Sequence, residues 1–456
     1  MQSRRTLLLC GPLALGLAST TMLTACANVP AASPSLAERP PIVFVHGNGD
    51  SAALWQTTVW RFESNGWPRE RLFAFDQPFP LARDDDGVAQ PGRSSTAESA
   101  AFLKVQVEKV LQATGAAKVI LIGNSRGGNA IRSYVQNGGG AAVVGQVVLG
   151  GNPAHGIWAV KGLRENNEFS GLSPFMRQLN APKGPDGDEV TPGVRWLTLR
   201  SDNNDKYAQP DGIWIGAPGK PTQIGFDGPA LKGATNVVLP RADHRETSFS
   251  PAAFAAAWQF LTGEAPRGTA VVPEAGVVLD GRALDAENRP LAGAEVQVYA
   301  VDPVTGARRG EAAHRRTVGA DGRWGPFNAR ADMACEFVLA AAGRTTHIYR
   351  SPFPRGSTLV NLRPEAAASA DAGAGAVVVF TRPRGYFDAR RDTMRFDGQS
   401  PPPGVPAQGA GVSSSRLRLA ASAPQRSVAG EFNGERVAGL TWPAPEGHAT
   451  VLELTY

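Results

Sequence analysis

At 456 residues the chain is too long for one ordinary hydrophobic core, so two or three domains are expected. Its 42% hydrophobic and 19% charged residues are those of a globular protein, and 52 glycines and 36 prolines imply many turns and a large β content. The net charge of +5 falls to +3 once residues 1–25 are set aside with Arg4 and Arg5, and no Lys/Arg block follows, so the charge does not point to nucleic acid.

The first element is a targeting segment. "SRRTLLLCGPLALGLASTTMLTAC" opens with paired arginines and continues as an apolar stretch. That stretch is too short, and too rich in Ser, Thr and Gly near its end, to read as a membrane span. The Arg4-Arg5 pair resembles a twin-arginine export signal. "LTAC" resembles a bacterial lipobox, which implies an export signal over 1–26 with Cys26 as the lipidated residue. Ala27 rather than an acid follows it, which points to an outer-membrane or cell-surface lipoprotein; a plain secretory signal and a periplasmic or secreted protein is the alternative. Cys10 would leave with the signal, so Cys335 is left with no disulfide partner.

Residues 27–39 are a small-residue tether. Residues 40–265 alternate strand and helix patterns: "PIVFVHG" and "RLFAFD" as strands, "STAESAAFLKVQVEKVLQATG" as a helix, then "KVILIG", a helix after Ser125, "VGQVVLGG", "VRWLTLRS", "NVVLPRADH" and a closing helix capped by Ser250. This alternation predicts an α/β domain with a mostly parallel sheet and helices on both faces. After residue 266 short β-type runs dominate: "AGVVLDGRAL", "AEVQVYAV", "CEFVLAAAG", "RTTHIYR" and "STLVNLRP". Every lysine lies at or before Lys232, a shift that supports a boundary near 266. "PEAAASADAGAGA", 364–376, reads as a second linker or long loop. "AVVVFTRPRGYF", "SRLRLAAS", "RVAGLTW" and "HATVLELTY" read as further strands, giving one β region over 266–363 and a linker plus C-terminal β region over 364–456.

A serine hydroxyl is a poor nucleophile until a base takes its proton. "KVILIGNSRGGNAIRSYV" offers Ser125 on a strand–turn–helix, with Gly123 and Gly127 two positions either side, which is the context a G-x-S-x-G nucleophile needs. The base should come later in the order Ser, acid, His. His244 stands at a strand end before the last helix; Asp202 and Asp205 in "SDNNDKYAQP" compete for the acid, and Asp205 fits the continuation after it. Asp243 reads as a solvated neighbour of His244. "VFVHGNGD" places backbone N–H groups near the nucleophile, so Asn48 and Arg126 are the expected oxyanion donors. His46 is expected to shape that loop. His155 either lines the cleft or orders a loop.

These segments, with "PIVFVHGNGDSAALW", "NGWPRERLFAFD", "VEKVLQATGAAKVILIGNSRGG" and "VVLGGNPAHG", resemble the bacterial class 2 lipases of the α/β-hydrolase superfamily over about 40–265. The resemblance implies carboxylic ester hydrolysis through an acyl-enzyme, with Ser125, Asp205 and His244 as triad and Asn48 and Arg126 as oxyanion donors. The departure is Asn124-Ser125-Arg126, where His-Ser-Met is common, and a charged Arg126 argues against a purely apolar acyl pocket. Residues 81–96 and 161–190 are expected to cover the site in part. No cofactor and no metal is required; Asp84-Asp85-Asp86 reads as a solvated loop rather than a calcium site.

Downstream, Gly281, "PLAGA" at 290–294 and the Asp321-Gly322 hairpin resemble carboxypeptidase regulatory-like, transthyretin-like β-sandwich domains. Trp324 and Trp442 are expected in the core. The partner implied is an ester substrate, lipid, small ester or polyester, with the membrane reached only through a lipid on Cys26. A polyester depolymerase and a non-catalytic surface lipoprotein with a relic hydrolase fold are the rival readings.

Overall fold

Strand and helix alternate from Ile42 to Thr262 in the computed structural model, which describes residues 39–456. The export segment, Cys26 and the tether as far as residue 38 lie outside the described residues. The order is β1 (Ile42–Val45), α1 (Gln56–Ser64), β2 (Leu72–Ala74), the short paired strands β3 (Leu81–Ala82) and β4 (Arg93–Ser94), then α2 (Thr96–Thr114) and β5 (Val119–Asn124). It continues with α3 (Arg126–Asn137), β6 (Val144–Gly150), α4 (Pro174–Leu179), β7 (Arg195–Ser201), β8 (Thr235–Leu239), α5 (Glu246–Phe249) and α6 (Pro251–Thr262).

Six of these strands form one sheet in the order β2-β1-β5-β6-β7-β8, and every pairing is parallel. Successive strand residues point to opposite faces. Ile42 and Phe44 therefore enter a core with Trp55, Phe62, Phe254 and Trp258, while Val43 and Leu121 join Ile131, Tyr134 and Trp196 on the other side. The helices begin and end where local chemistry dictates. Ser95 and Glu98 form a capping box on α2 and Gly115 closes it at φ 64°; the Ser250 hydroxyl accepts the Ala253 N–H at the start of α6.

The remainder is β structure: β9 (Val277–Leu279), β10 (Glu295–Ala300), β11 (His314–Thr317), β12 (Phe327–Ala329), β13 (Cys335–Ala341), β14 (Arg344–Arg350), β15 (Ala376–Thr381), β16 (Met394–Phe396), β17 (Ser414–Leu419), β18 (Ser427–Phe432), β19 (Glu435–Leu440) and β20 (His448–Glu453). Seven strands make a mixed sheet, β11-β10-β13-β14-β20-β15-β17. The boundary expected at 364 does not separate two sheets: β20 inserts between β14 and β15, parallel to both. The Ala-rich stretch at 364–376 is a loop between strands of this sheet. "STLVNLRP" is not a strand; its ladder pairing is limited to isolated bridges at Ser357 and Leu362. Conversely β11, "HRRT", is largely exposed and charged, and carries no apolar alternation.

Cys335 is fully buried in this core, where burial raises its thiol to about 12. Trp324 is fully buried, and its indole N–H donates to the Val360 carbonyl at 2.8 Å. Trp442 is half-buried and stacks on His347, ring centroids 4.0 Å apart.

The hydrolase part and the β part share a seam. Trp60 of α1 lies in the apolar cluster of the β part with Phe353 and Phe337, and its N–H donates to the Gly356 carbonyl at 2.8 Å. Arg350 and Arg384 both donate to the Gln56 side-chain oxygen at 3.0 Å. Asn288 reaches the carbonyls of Asp50 and Gln77. Trp60→Ala removes an apolar anchor and an indole donor together. It is expected to cost about 3–5 kcal/mol, read as a lower midpoint of urea-induced unfolding.

Candidate active site

Ser125 sits between β5 and α3 at φ 53° and ψ −125°, a backbone conformation that L-residues rarely adopt. The glycines either side make the turn possible. A Cβ on Gly127 would lie 2.5 Å from the Val45 carbonyl oxygen and 2.6 Å from that of His46; one on Gly123 would lie 2.6 Å from Ile131. The turn is thus pressed against the end of β1, and Gly47 in the following loop packs within 3.1 Å of Ser125 Cβ when given a Cβ of its own.

The two unusual residues beside Ser125 have structural partners. Asn124 is buried and donates to the Gly150 carbonyl at 3.2 Å and to Ser248 Oγ at 2.9 Å. Arg126 does not enter the cavity, contrary to the expectation from its charge. Its Nε donates to Glu168 at 2.9 Å, Nη1 to the Pro80 carbonyl and Ser94 Oγ at 3.0 Å, and Nη2 to the Ser94 carbonyl at 2.7 Å. Both members of the Arg126–Glu168 pair are buried. Burial holds the Glu168 carboxyl above its usual range even beside the guanidinium.

The acid and base loops meet at the sheet's C-terminal edge. His244 Nδ1 lies 2.9 and 3.0 Å from the two Asp205 carboxylate oxygens. The carboxylate accepts the Nδ1 proton, which leaves Nε2 as the basic nitrogen. Nε2 is buried without a hydrogen-bond partner among the described residues, and His244 lines the same cavity as Ser125. Asp202 faces elsewhere and accepts the Arg241 N–H at 2.8 Å. Asp243 is not solvated: it is fully buried, and its carboxylate accepts from Arg382 at 3.1 Å and the Tyr386 N–H at 2.8 Å.

Asn48 also lines the cavity, its side-chain oxygen fixed by the Ala82 N–H at 2.7 Å. Arg126 opens α3, and first-turn N–H groups lack an intrahelical partner. His46 accepts the Gln77 N–H on Nε2 and donates from Nδ1 to its neighbour's carbonyl, so it is a neutral loop-shaping residue; burial lowers its pKa. His155 bonds Glu189 and the Gly228 carbonyl at 2.8 Å each and orders a loop outside the cavity; the Glu189 bond raises its pKa.

A cover lies over the cavity. Asn167 donates to the carbonyls of Arg83 and Asp84, and the Asp86 N–H donates to Asn166, so the two inserted segments are stitched together. Arg126 then ties both to the Ser125 turn. Asp85 and Asp86 are engaged locally, Asp86 accepting both the N–H and the hydroxyl of Thr96.

The cavity holds about 290 Å³ and stays partly open to solvent. Trp158, Phe169, Tyr207 and Trp214 contribute aromatic wall, and Arg245, paired with Asp50 at 2.7 Å, contributes charge. One further wall residue, Tyr386, comes from the β part. Lys206 lies behind it, 4.0 Å from the Tyr386 ring centre, and burial pulls its ammonium down to about 8. Sequence reasoning missed Tyr386. It lies 143 residues beyond Asp243, and no motif links the two.

Two stretches of the chain match family models. Residues 39–183 match the family model of lipase (class 2), and residues 275–367 match that of the lipase C-terminal domain, the β region whose turns resemble carboxypeptidase regulatory-like modules. Among solved structures, the mature form of a Bacillus licheniformis lipase is similar at 22% identity over 49% of this chain and 93% of its own, with a TM-score of 0.36. Its propeptide form covers 90% of this chain and 94% of its own at 16% identity and a TM-score of 0.37. Aspergillus fumigatus lipase B aligns at 17% identity over 52% of this chain and 56% of its own, with a TM-score of 0.36. A stretch that matches the class 2 lipases, residues 39–183, is thus followed in this chain by one that matches the lipase C-terminal domain, residues 275–367.

Proposed function

We propose that the protein hydrolyses carboxylic esters through an acyl-enzyme on Ser125. The observation that carries this reading is the Asp205–His244 hydrogen bond, with the unpartnered His244 Nε2 in the cavity that Ser125 lines. In this mechanism His244 takes the Ser125 proton as Oγ attacks the ester carbonyl. The N–H groups of Asn48 and Arg126 receive the developing oxyanion. The alcohol departs with the proton from His244, and water activated by the same nitrogen releases the acid. Asp205 holds the tautomer and stabilises the imidazolium.

The cavity favours short, polar esters. Its 290 Å³ is at or just below the small end of ligand pockets, about 300–1,000 Å³. Its cover is pinned by a buried ion pair rather than by apolar contact alone. Hydrolysis of p-nitrophenyl acetate, butyrate and palmitate is therefore expected to fall with chain length and to vanish in Ser125→Ala. Asp205→Asn is expected to lower kcat by about 10³–10⁴, and Asp202→Asn to leave it near wild type. Equal hydrolysis by Ser125→Ala and wild type would sink the reading.

The cover clamp yields a separate expectation. Glu168→Gln leaves Arg126 buried without its counter-charge, which costs about 3–5 kcal/mol. Thermal unfolding is expected to shift down, and the palmitate-to-butyrate rate ratio to rise as the cover loosens. An unchanged ratio would show that the clamp does not set chain length.

The same proposal places the enzyme at the cell envelope, anchored through Cys26. Labelled palmitate is expected to enter the wild type and not Cys26→Ser; equal labelling would remove the anchor.

A further inference from the structure

We infer that Arg382, from the β part, is a positioning residue for His244, acting through the carboxylate of Asp243; the inference rests on the triad reading above. Asp243 immediately precedes His244. Its Oδ1 accepts the N–H groups of Arg245 at 2.8 Å and Glu246 at 2.9 Å, which sets the turn after the histidine. Its Oδ2 accepts Arg382 Nη1 at 3.1 Å and the Tyr386 N–H at 2.8 Å. One carboxylate therefore joins the histidine loop to the segment that also supplies the Tyr386 wall.

The rest of the guanidinium is committed to the same task. Nη2 donates to Glu246 Oε1 at 2.7 Å, Nη1 donates to the Tyr386 carbonyl at 2.7 Å, and the group lies 4.3 Å over the Phe432 ring centre. Arg391 adds two bonds to Glu246 and one to the Arg241 carbonyl. The acid loop is held from the same side: Asn204, beside Asp205, donates to Asp388 at 3.0 Å, and Lys206 donates to the Gly411 carbonyl at 2.9 Å. Both loops of the acid–base pair thus hang on residues 382–411.

Charge explains why an arginine is needed. Asp243 and Glu246 are two carboxylates in one buried turn. Burial and Glu246 hold the Asp243 carboxyl up to about 6 even with Arg382 in place. The groups facing it are Glu246 and Arg245 from its own segment, Arg382, Arg391 and Tyr386 from the β part, and Lys206 from the acid loop. Without the guanidinium the two carboxylates repel, and the turn that carries His244 must yield.

The test compares R382Q, R382K and R382Q/D243N with wild type on p-nitrophenyl butyrate across the active pH range, with folded enzyme checked by circular dichroism. R382Q is expected to lose about 10- to 100-fold in kcat with little change in KM. The loss should be largest at alkaline pH and shrink as pH falls, because a protonated Asp243 no longer repels Glu246. R382K should keep more activity than R382Q, and adding D243N should recover part of what R382Q loses. The downfield proton resonance of His244 Nδ1–H, read without turnover, should shift or vanish in R382Q and persist in R382K. Wild-type kcat in R382Q, or a loss that is uniform in pH and not relieved by D243N, would overturn the assignment. Should R382Q not fold, D243N and R382K each weaken one partner, and wild-type kcat in both would overturn it as well. A wild type inert on every ester fails the triad reading instead, and the proton resonance then decides the strut alone.

Discussion

The contact between Gly127 and the carbonyls of Val45 and His46 is the constraint on which the site depends. No side chain fits there, so α3 can start only where it lies flush against the end of β1. That approach has two consequences at once. It forces Ser125 into its positive-φ conformation, lifting the hydroxyl clear of the sheet, and it brings the Gly47–Asn48 loop beside it. Ser125, the proposed nucleophile, and the loop expected to bind the oxyanion are therefore placed by one backbone contact, and the parallel sheet supplies the rigid base for both.

Around this contact the protein spends buried charge on geometry rather than on stability. Exchanging a buried ion pair for apolar groups is often neutral or stabilising. Arg126–Glu168 and the Arg382–Asp243–Glu246 cluster therefore make little sense as glue. They make sense as locators. Arg126 has five donors, and four of its hydrogen bonds fix the cover at Pro80, Ser94 and Glu168 relative to the Ser125 turn. An apolar residue at 126 would leave the Ser94 carbonyl without its donor and Glu168 without its counter-charge, and the cover without a fixed height over the cavity.

Much of this was legible in the sequence, for reasons that differ by region. The parallel sheet showed because its inner strands are largely buried on both faces and so read as unbroken apolar runs, as in β5. The triad candidates showed because the turn chemistry around Ser125 is local and the order Ser, acid, His is fixed by topology. Asp205 is preferred over Asp202 for the residues that follow it, and it is the Asp205 carboxylate that lies 2.9 Å from His244 Nδ1. What failed was whatever depends on distant partners. Asp243 looked solvated because nothing near it in the chain is its partner; Arg382 and Tyr386 arrive from the far side of the β part. Arg126 looked like a pocket residue because its charge was visible and its carbonyl acceptors were not. β20 was expected as a strand, but its insertion between β14 and β15 could not be read, since pairing register is not written in either strand alone.

These long-range contacts answer a local cost. Ser125 holds a backbone conformation worth about 1–3 kcal/mol of strain, and a buried nitrogen without a partner, as at His244 Nε2, costs about 1–3 kcal/mol more. A lone loop would relax away from both, turning the histidine toward the nearest donor. It stays because its neighbours on either side are over-determined: Asn204 and Lys206 beside Asp205, Asp243 and Glu246 beside His244, each bonded to the β part. The β part thus does more than extend the chain. It closes the seam at Trp60, gives a wall to the cavity at Tyr386, and holds the residues that flank Asp205 and His244.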